Sequence, residues 1–134
     1  MVEEEDSELD RIKTRKIREM LEKAQGKTVS KPLTVTDGNF REMLKIHPLM
    51  IVDCWAAWCG PCQMIAPVVE QLATEYAGQV AFGKLNVDEN PQTSQEFCVR
   101  GIPTLLIMKE GKEVDRIVGV MPKPVIESKF KKYM

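Results

Sequence analysis

The sequence predicts an α/β domain built on a mixed sheet. Three observations carry that prediction. Strand-like and helix-like segments alternate through most of the chain. Residues 49–55, LMIVDCW, form a run interrupted in its apolar character only by Asp53. Two apolar segments, TLLIMK and EVDRIVG, flank Glu110-Gly111 near the end. Alternation is what strands joined by crossover helices produce. A near-continuous apolar strand belongs inside a sheet with both faces covered. Two strands meeting at a glycine-containing turn make a hairpin, which adds antiparallel pairing.

The elements follow in order. Residues 1–31 read as an extension and 32–134 as the domain. The extension starts with Glu3, Glu4, Glu5, Asp6 and Glu8 and continues with Arg11, Lys13, Arg15, Lys16 and Arg18. Ser7 is a candidate cap, with Asp10 a weak capping-box partner. Leu9, Ile12, Ile17, Met20, Leu21 and Ala24 fall near one helical face, and the early acids suit the helix dipole. Gly26 is a stop signal. An amphipathic helix of about four turns is expected, then a polar link, GKTVSKP. In the domain, PLTV is a short strand, and Thr36 or Asp37 is a cap for a helix around 38–46. After the strand at 49–55, Ile65, Val68, Val69, Leu72 and Tyr76 mark a helix from Gly60 to Tyr76, with a kink expected at Pro67. VAFGKLNV, 80–87, is a strand and 92–99 a short helix. Beyond the hairpin, 122–133 is a helix with Val125, Ile126, Phe130 and Tyr133 facing inward.

Of the 134 residues, 43% are hydrophobic and 29% charged, enough to bury a core without disulfide staples. The net charge of −1 calls for neither nucleic acid nor a membrane surface. No run has the length of a membrane span. The acidic N-terminus lacks the apolar region of a secretory signal, so a cytoplasmic location is expected. There, cysteines are more often catalytic, metal-binding or simply buried than cross-linking.

Cys59 and Cys62 stand where the buried strand ends and the second domain helix begins. Residues three apart share a helical face, so the sulfurs can meet. A disulfide between them closes a very small ring, which constrains little of the unfolded chain. It is a poor staple and a good reversible redox couple. The first turn of a helix concentrates free N–H groups and the positive end of the dipole. A thiolate is stabilised there, and the thiolate is the reactive form. Cys59 is expected to cap the helix and face solvent, as the attacking nucleophile. Cys62, one turn in, is expected to be more shielded, as the resolving thiol. Gly60 leaves room for another backbone, and Pro61 stiffens the turn. Cys59 would attack a disulfide of a substrate protein. Cys62 would then attack Cys59, releasing reduced substrate and leaving the Cys59–Cys62 disulfide. No metal or cofactor is needed. The competing reading is half of a structural zinc site, which wants four ligands; Cys54, Cys98 and His47 are the remaining candidates, none in paired spacing.

WCGPC, lying in VDCWAAWCGPCQMIAP, resembles the active-site signature of the thioredoxin family. KLNVDEN, VRGIPTLLIMKEGKEV and VG at 118–119 extend the resemblance, in the family's order and spacing, over roughly residues 33–134. It implies a thioredoxin fold, a central mixed sheet flanked by helices on both faces. It implies a protein-disulfide reductase, acting on disulfide-containing proteins and recharged by a thioredoxin reductase. Asp53 matches the family's buried aspartate, which takes the proton of the resolving thiol directly or through water. Burial should raise its pKa, as a proton acceptor near neutral pH requires. The competing reading of Asp53 is a carboxylate merely satisfied by hydrogen bonds. Lys84 matches a lysine near that carboxylate. Ile102-Pro103 matches a cis-proline turn whose Ile102 backbone pairs with extended substrate. Trp55, Trp58, Gly101 and Gly119 match the apolar surface around the thiols.

The chain also departs from the pattern. Cys54 replaces an aromatic residue, Gln63 a common lysine, and Cys98 a frequent glycine, while the first thirty residues have no counterpart. Cys54 and Cys98 read as buried, inert thiols, Trp55 as core, Trp58 as a contact residue and His47 as a loop residue. The alternative in a different class is a redox-fold adaptor that recruits partners through its N-terminal helix. On the same fold, the alternative is an oxidant or isomerase.

Overall fold

The computed structural model describes residues 30–134; the helix expected in the extension lies outside them. Strands β1 (Leu33–Val35), β2 (Leu49–Trp55), β3 (Ala81–Asn86), β4 (Thr104–Lys109) and β5 (Lys112–Val118) form one sheet. Its helices are α1 (Phe40–Ile46), α2 (Gly60–Glu75), α3 (Pro91–Glu96) and α4 (Lys123–Lys131). The strand order is β1-β3-β2-β4-β5. β1, β3 and β2 run parallel, and β4 and β5 add antiparallel pairs. The predicted mixed sheet is therefore present.

The pleat explains why β2 reads as an unbroken apolar run. Successive side chains point to opposite faces, and both faces are covered. Ile51 joins Phe82, Leu105 and Ile107 beneath Ile65, Val69 and Leu72 of α2 and Ile126 and Phe130 of α4. Met50, Val52 and Cys54 join Leu106 and Met108 on the other face, against Phe40 and Leu44 of α1. α2 runs as one element through Pro67, whose missing N–H leaves the Gln63 carbonyl without its usual helical donor.

Local chemistry sets the connections. Glu110 and Gly111 have φ of 50° and 83°, the two positive values that a two-residue hairpin of the favoured twist demands. α3 ends three residues earlier than expected. Cys98 takes φ of 52°; its N–H bonds the Gln95 carbonyl, and the Val99 N–H bonds the Ser94 carbonyl. That is the Schellman stop, which normally asks for glycine.

Two expectations are corrected. Asn39, not Thr36 or Asp37, is the N-cap of α1; the Thr36 hydroxyl accepts the Asn39 N–H at 3.2 Å, just ahead of the helix. Asp37 instead caps α3 from a distance, accepting the Gln92 N–H at 3.1 Å, the Thr93 N–H at 2.8 Å and the Thr93 hydroxyl at 2.6 Å. Val125 is 39% exposed rather than inward. Ile126 and Phe130, four residues apart, define the buried stripe of α4, and Val125 lies about 100° around from Ile126. Tyr133 packs partly buried against the core, as expected.

At Gly83 a Cβ would meet Val35 Cγ2 at 2.5 Å and Met50 Cε at 2.6 Å. The Met50 tip can swing away, but the β-branched Val35 is stiff. Gly83→Ala should cost about 1–3 kcal/mol of stability, by the usual penalty for overpacking, read from the midpoint of urea unfolding. Asp37→Ala should cost about 1 kcal/mol, as lost helix caps do. Desolvation alone would raise the Asp37 carboxyl, but the Thr93 and Gln92 hydrogen bonds outweigh it and hold the group below its ordinary 3.8. The deficit of the variant should therefore be full at neutral pH and fade as pH falls below about 4; a deficit unchanged at pH 3 would reject the cap.

Candidate active site

The C-terminal end of β2 feeds the site. After Trp55 the chain turns through Ala56, whose carbonyl accepts the Cys59 N–H at 3.2 Å. Cys59 is the N-cap of α2, with extended φ of −90° and ψ of 106°. Its sulfur accepts the Cys62 N–H at 3.2 Å. A cap residue must offer an acceptor to the orphan amides of the first turn, and here the acceptor is sulfur. Gly60 and Pro61 open the helix; proline is tolerated because a first-turn N–H has no helical partner.

Cys59 and Cys62 form a disulfide, with Cα atoms 5.3 Å apart. The expected difference in exposure between them is corrected: each is 3% exposed. Joined to each other, the cysteines pack with Ala56 under Trp55, Val87 and Ile102. The exposed rim is Trp58, at 71%, with Gly60, Pro61 and Gly101. The Trp58 Nε1–H donates to Asp88 Oδ2 at 2.8 Å, which pins the ring beside the pair. The Gln63 amide donates to the Ala57 carbonyl at 3.3 Å and ties the same loop.

Across from the pair lies the β4 entrance. The Ile102-Pro103 peptide is cis, and the Ile102 carbonyl oxygen is 3.8 Å from Cys59 Sγ. The Thr104 hydroxyl donates to the Gly101 carbonyl at 2.5 Å, and the Gly119 N–H donates to the Pro103 carbonyl at 2.8 Å. Gly101, Ile102, Pro103 and Gly119 are thus tied into one turn facing the sulfurs.

Asp53, Trp55 and Lys84 lie on the sheet face that carries α2. Asp53 is 1% exposed, and Lys84 is its register partner on β3. Among the described residues, no group donates a hydrogen bond to either Asp53 oxygen. Burial pushes its carboxyl up to about 6, and the Lys84 charge offsets only part of that. The described residues supply none of the hydrogen bonds that the competing reading, a satisfied carboxylate, requires. Trp55 is half-buried, with its Nε1 enclosed and without a hydrogen-bond partner among the described residues.

The other two cysteines differ from each other. Cys54 is fully buried on the opposite face, and burial, with Asp53 next to it, pushes its thiol up to about 12. That is the expected inert thiol. Cys98, in the left-handed helix stop, is exposed and not buried as expected. Among the described residues, no three His, Cys, Asp or Glu side chains group as metal ligands would. The reading of the residues missed Val87, a cover of the disulfide, and Asp88, the partner of Trp58. Both lie in KLNVDEN, but only the fold brings that segment against the helix start.

Comparison with known proteins points one way. The family model for thioredoxin matches residues 31–132. Thioredoxin 2 of Chlorobaculum tepidum is 50% identical over 100 residues, covering 74% of this chain and 92% of the relative. A thioredoxin of Synechocystis is 46% identical over 101 residues, covering 75% and 94%. A mutant thioredoxin from Halobacterium salinarum NRC-1 superposes with a TM-score of 0.73 at 33% identity, covering 78% of this chain and 91% of that one.

The Asp53 shift has a sign that stability can read. Its carboxyl holds its proton to about 6 when folded, against 3.8 otherwise. The folded state therefore binds more protons between those values, and its stability should fall as pH rises through that window. The size is about 3 kcal/mol at 1.36 kcal/mol per pH unit. Asp53→Asn should remove that slope and exceed wild type in stability at pH 8, both in oxidised form. Parallel stability curves for the two proteins from pH 4 to 8 would refute the assignment.

Proposed function

The chain belongs to the thioredoxin family, and from that premise we propose how its residues share the work. The protein is a thiol–disulfide oxidoreductase that reduces protein disulfides through the Cys59–Cys62 couple. The observation that carries the residue roles is the sulfur of Cys59 at the N-cap of α2, accepting the Cys62 N–H.

In the reduced form that amide and the helix dipole favour the Cys59 thiolate. Cys59 attacks one sulfur of the substrate disulfide; the S–S bond breaks, and the other sulfur leaves as a thiolate. The mixed disulfide is then attacked by Cys62. Its proton passes to Asp53, the S–S bond to substrate breaks, and the second substrate thiolate departs. Two electrons move from the pair to the substrate, and the Cys59–Cys62 disulfide remains. Asp53, held up to about 6, is ionised often enough near neutral pH to accept that proton and basic enough to keep it.

Trp58, Gly60 and Pro61 offer the exposed rim on one side of the sulfurs, and Ile102 and Pro103 the backbone edge on the other. An extended segment of substrate fits between them, pairing with the Ile102 main chain. Lys84 tunes Asp53, while Trp55, Gly101 and Gly119 shape the surroundings. The partners are disulfide-bearing proteins and a thioredoxin reductase that returns electrons to the pair. Cytoplasmic residence accords with that reductive role; among the described residues, no helix is long and apolar enough to cross a membrane. Residues 32–134 form the catalytic domain and 1–31 an appended segment. Nothing in the described residues favours an adaptor over this enzyme.

Insulin reduction in the presence of a small dithiol tests the assignment. Wild type should accelerate the appearance of turbidity and Cys59→Ser should fall to the uncatalysed rate. Cys62→Ser should accumulate mixed disulfides visible on non-reducing gels, because the resolving step is gone. Equal rates for Cys59→Ser and wild type would overturn the nucleophile, and an absence of trapped species would overturn the resolving thiol.

A further inference from the structure

Asp53 and Lys84 are opposite charges in register on neighbouring strands, on one face of the sheet. In so buried a place, a direct charge-assisted hydrogen bond between them is the expected outcome. The structure shows something else. Among the described residues, no group donates a hydrogen bond to either carboxyl oxygen of Asp53. The Lys84 ammonium lies over the indole of Trp55, 4.8 Å from its ring centroid. That is within the reach of a cation–π attraction, strongest for tryptophan and stronger where water is thin. Trp55 is two residues from Asp53 on β2 and so faces the same side. Among the described residues its Nε1 has no hydrogen-bond partner, whereas its ring face meets the Lys84 ammonium.

We propose that Trp55 is a positioning residue, whose indole face holds the Lys84 ammonium and so keeps that cation from pairing with the Asp53 carboxylate. The proposal rests on the reading of Asp53 as proton acceptor and gives that acceptor its setting. A lysine hydrogen-bonded to Asp53 would hold the carboxylate ionised and weakly basic, a poor acceptor for a thiol proton. A lysine removed altogether would leave burial unopposed and the carboxyl protonated near neutral pH. Parked on the ring, the cation acts on Asp53 only through space. Burial remains the larger influence, and the carboxyl stays at about 6.

The other groups around Asp53 do not compete for this role. Cys59 and Cys62 of α2 are joined in the disulfide and do not titrate. Cys54, the next residue on β2, points to the opposite face and keeps its proton, its thiol at about 12. The register partner on β4 is apolar Leu105. Lys84 is the one cation acting on Asp53 among the described residues.

The test is a carbon-detected NMR titration of the Asp53 carboxyl in the oxidised full chain, where the active-site thiols are locked and coupled titration is avoided. Trp55→Leu should lower the Asp53 midpoint by about one pH unit or more, the effect of a cation brought to a carboxylate. Trp55→Phe, which keeps a ring face, should stay closer to wild type. Lys84→Met should raise the midpoint, and Trp55→Leu added to it should cause no further fall. A fall of equal size in the Lys84→Met background would assign the effect to water entering the site and overturn the proposal, as would no fall at all. A merely structural tryptophan would lower stability in both backgrounds without a Lys84-dependent shift. In the unmutated chain, the Lys84 ε-methylene protons should show the upfield shift of a proton over a ring; their appearance at ordinary positions would overturn the proposal without any variant. The underlying reading is tested separately. If Asp53→Asn leaves the pH profile of substrate release from the mixed disulfide unchanged, Asp53 is not the acceptor, whatever holds Lys84.

Discussion

The amide of Cys62 directed at the sulfur of Cys59 is the contact on which the chemistry depends. It does two things at once. It satisfies a first-turn donor of α2, and it would stabilise negative charge on the Cys59 sulfur, the atom proposed to attack. The contact exists because Cys59 adopts extended backbone at the cap, where the loop from β2 ends and α2 begins. The loop in turn is placed by β2, the strand at the centre of the sheet with both faces covered. A disordered β2 would leave no fixed helix start, and no oriented amides for the thiolate.

The same burial that makes β2 rigid makes Asp53 costly. A buried carboxyl to which none of the described residues donates a hydrogen bond adds little to stability, and its ionised form works against the fold. The expense is reasonable only if the proton matters. Lys84 illustrates the compromise. A tight ion pair would relieve the cost and silence the acceptor, whereas a cation held at the ring of Trp55 relieves part of it and leaves the group able to titrate.

The turn opposite the sulfurs depends on contacts distant in sequence. Gly119 bonds Pro103, and Trp58 is held by Asp88. β4 is antiparallel to β2, so its N-terminal end meets the C-terminal end of β2. This places the Ile102 carbonyl oxygen 3.8 Å from the Cys59 sulfur. α3 contributes indirectly. Its start is held by Asp37 and its end by the left-handed Cys98, four residues before Ile102.

The sequence by itself determined the strands and helices of the domain, the hairpin, the thiol pair and the family, because these are local patterns. A run of apolar residues, Gly after Glu at a turn, and Cys-Gly-Pro-Cys at a helix start each carry their meaning within a few positions. Tertiary structure decided what depends on neighbours. Asp37 was legible as a cap but not as the cap of α3, 55 residues away, since an acceptor serves whichever amides the fold brings near. Val125 fitted an inward pattern, yet the packed stripe of α4 left it out. Cys59 was expected at the surface, but the cover over a disulfide comes from Val87 and Ile102, on other segments. Exposure, charge pairing and pKa belong to the space around a side chain, and that space is filled by residues remote in the chain.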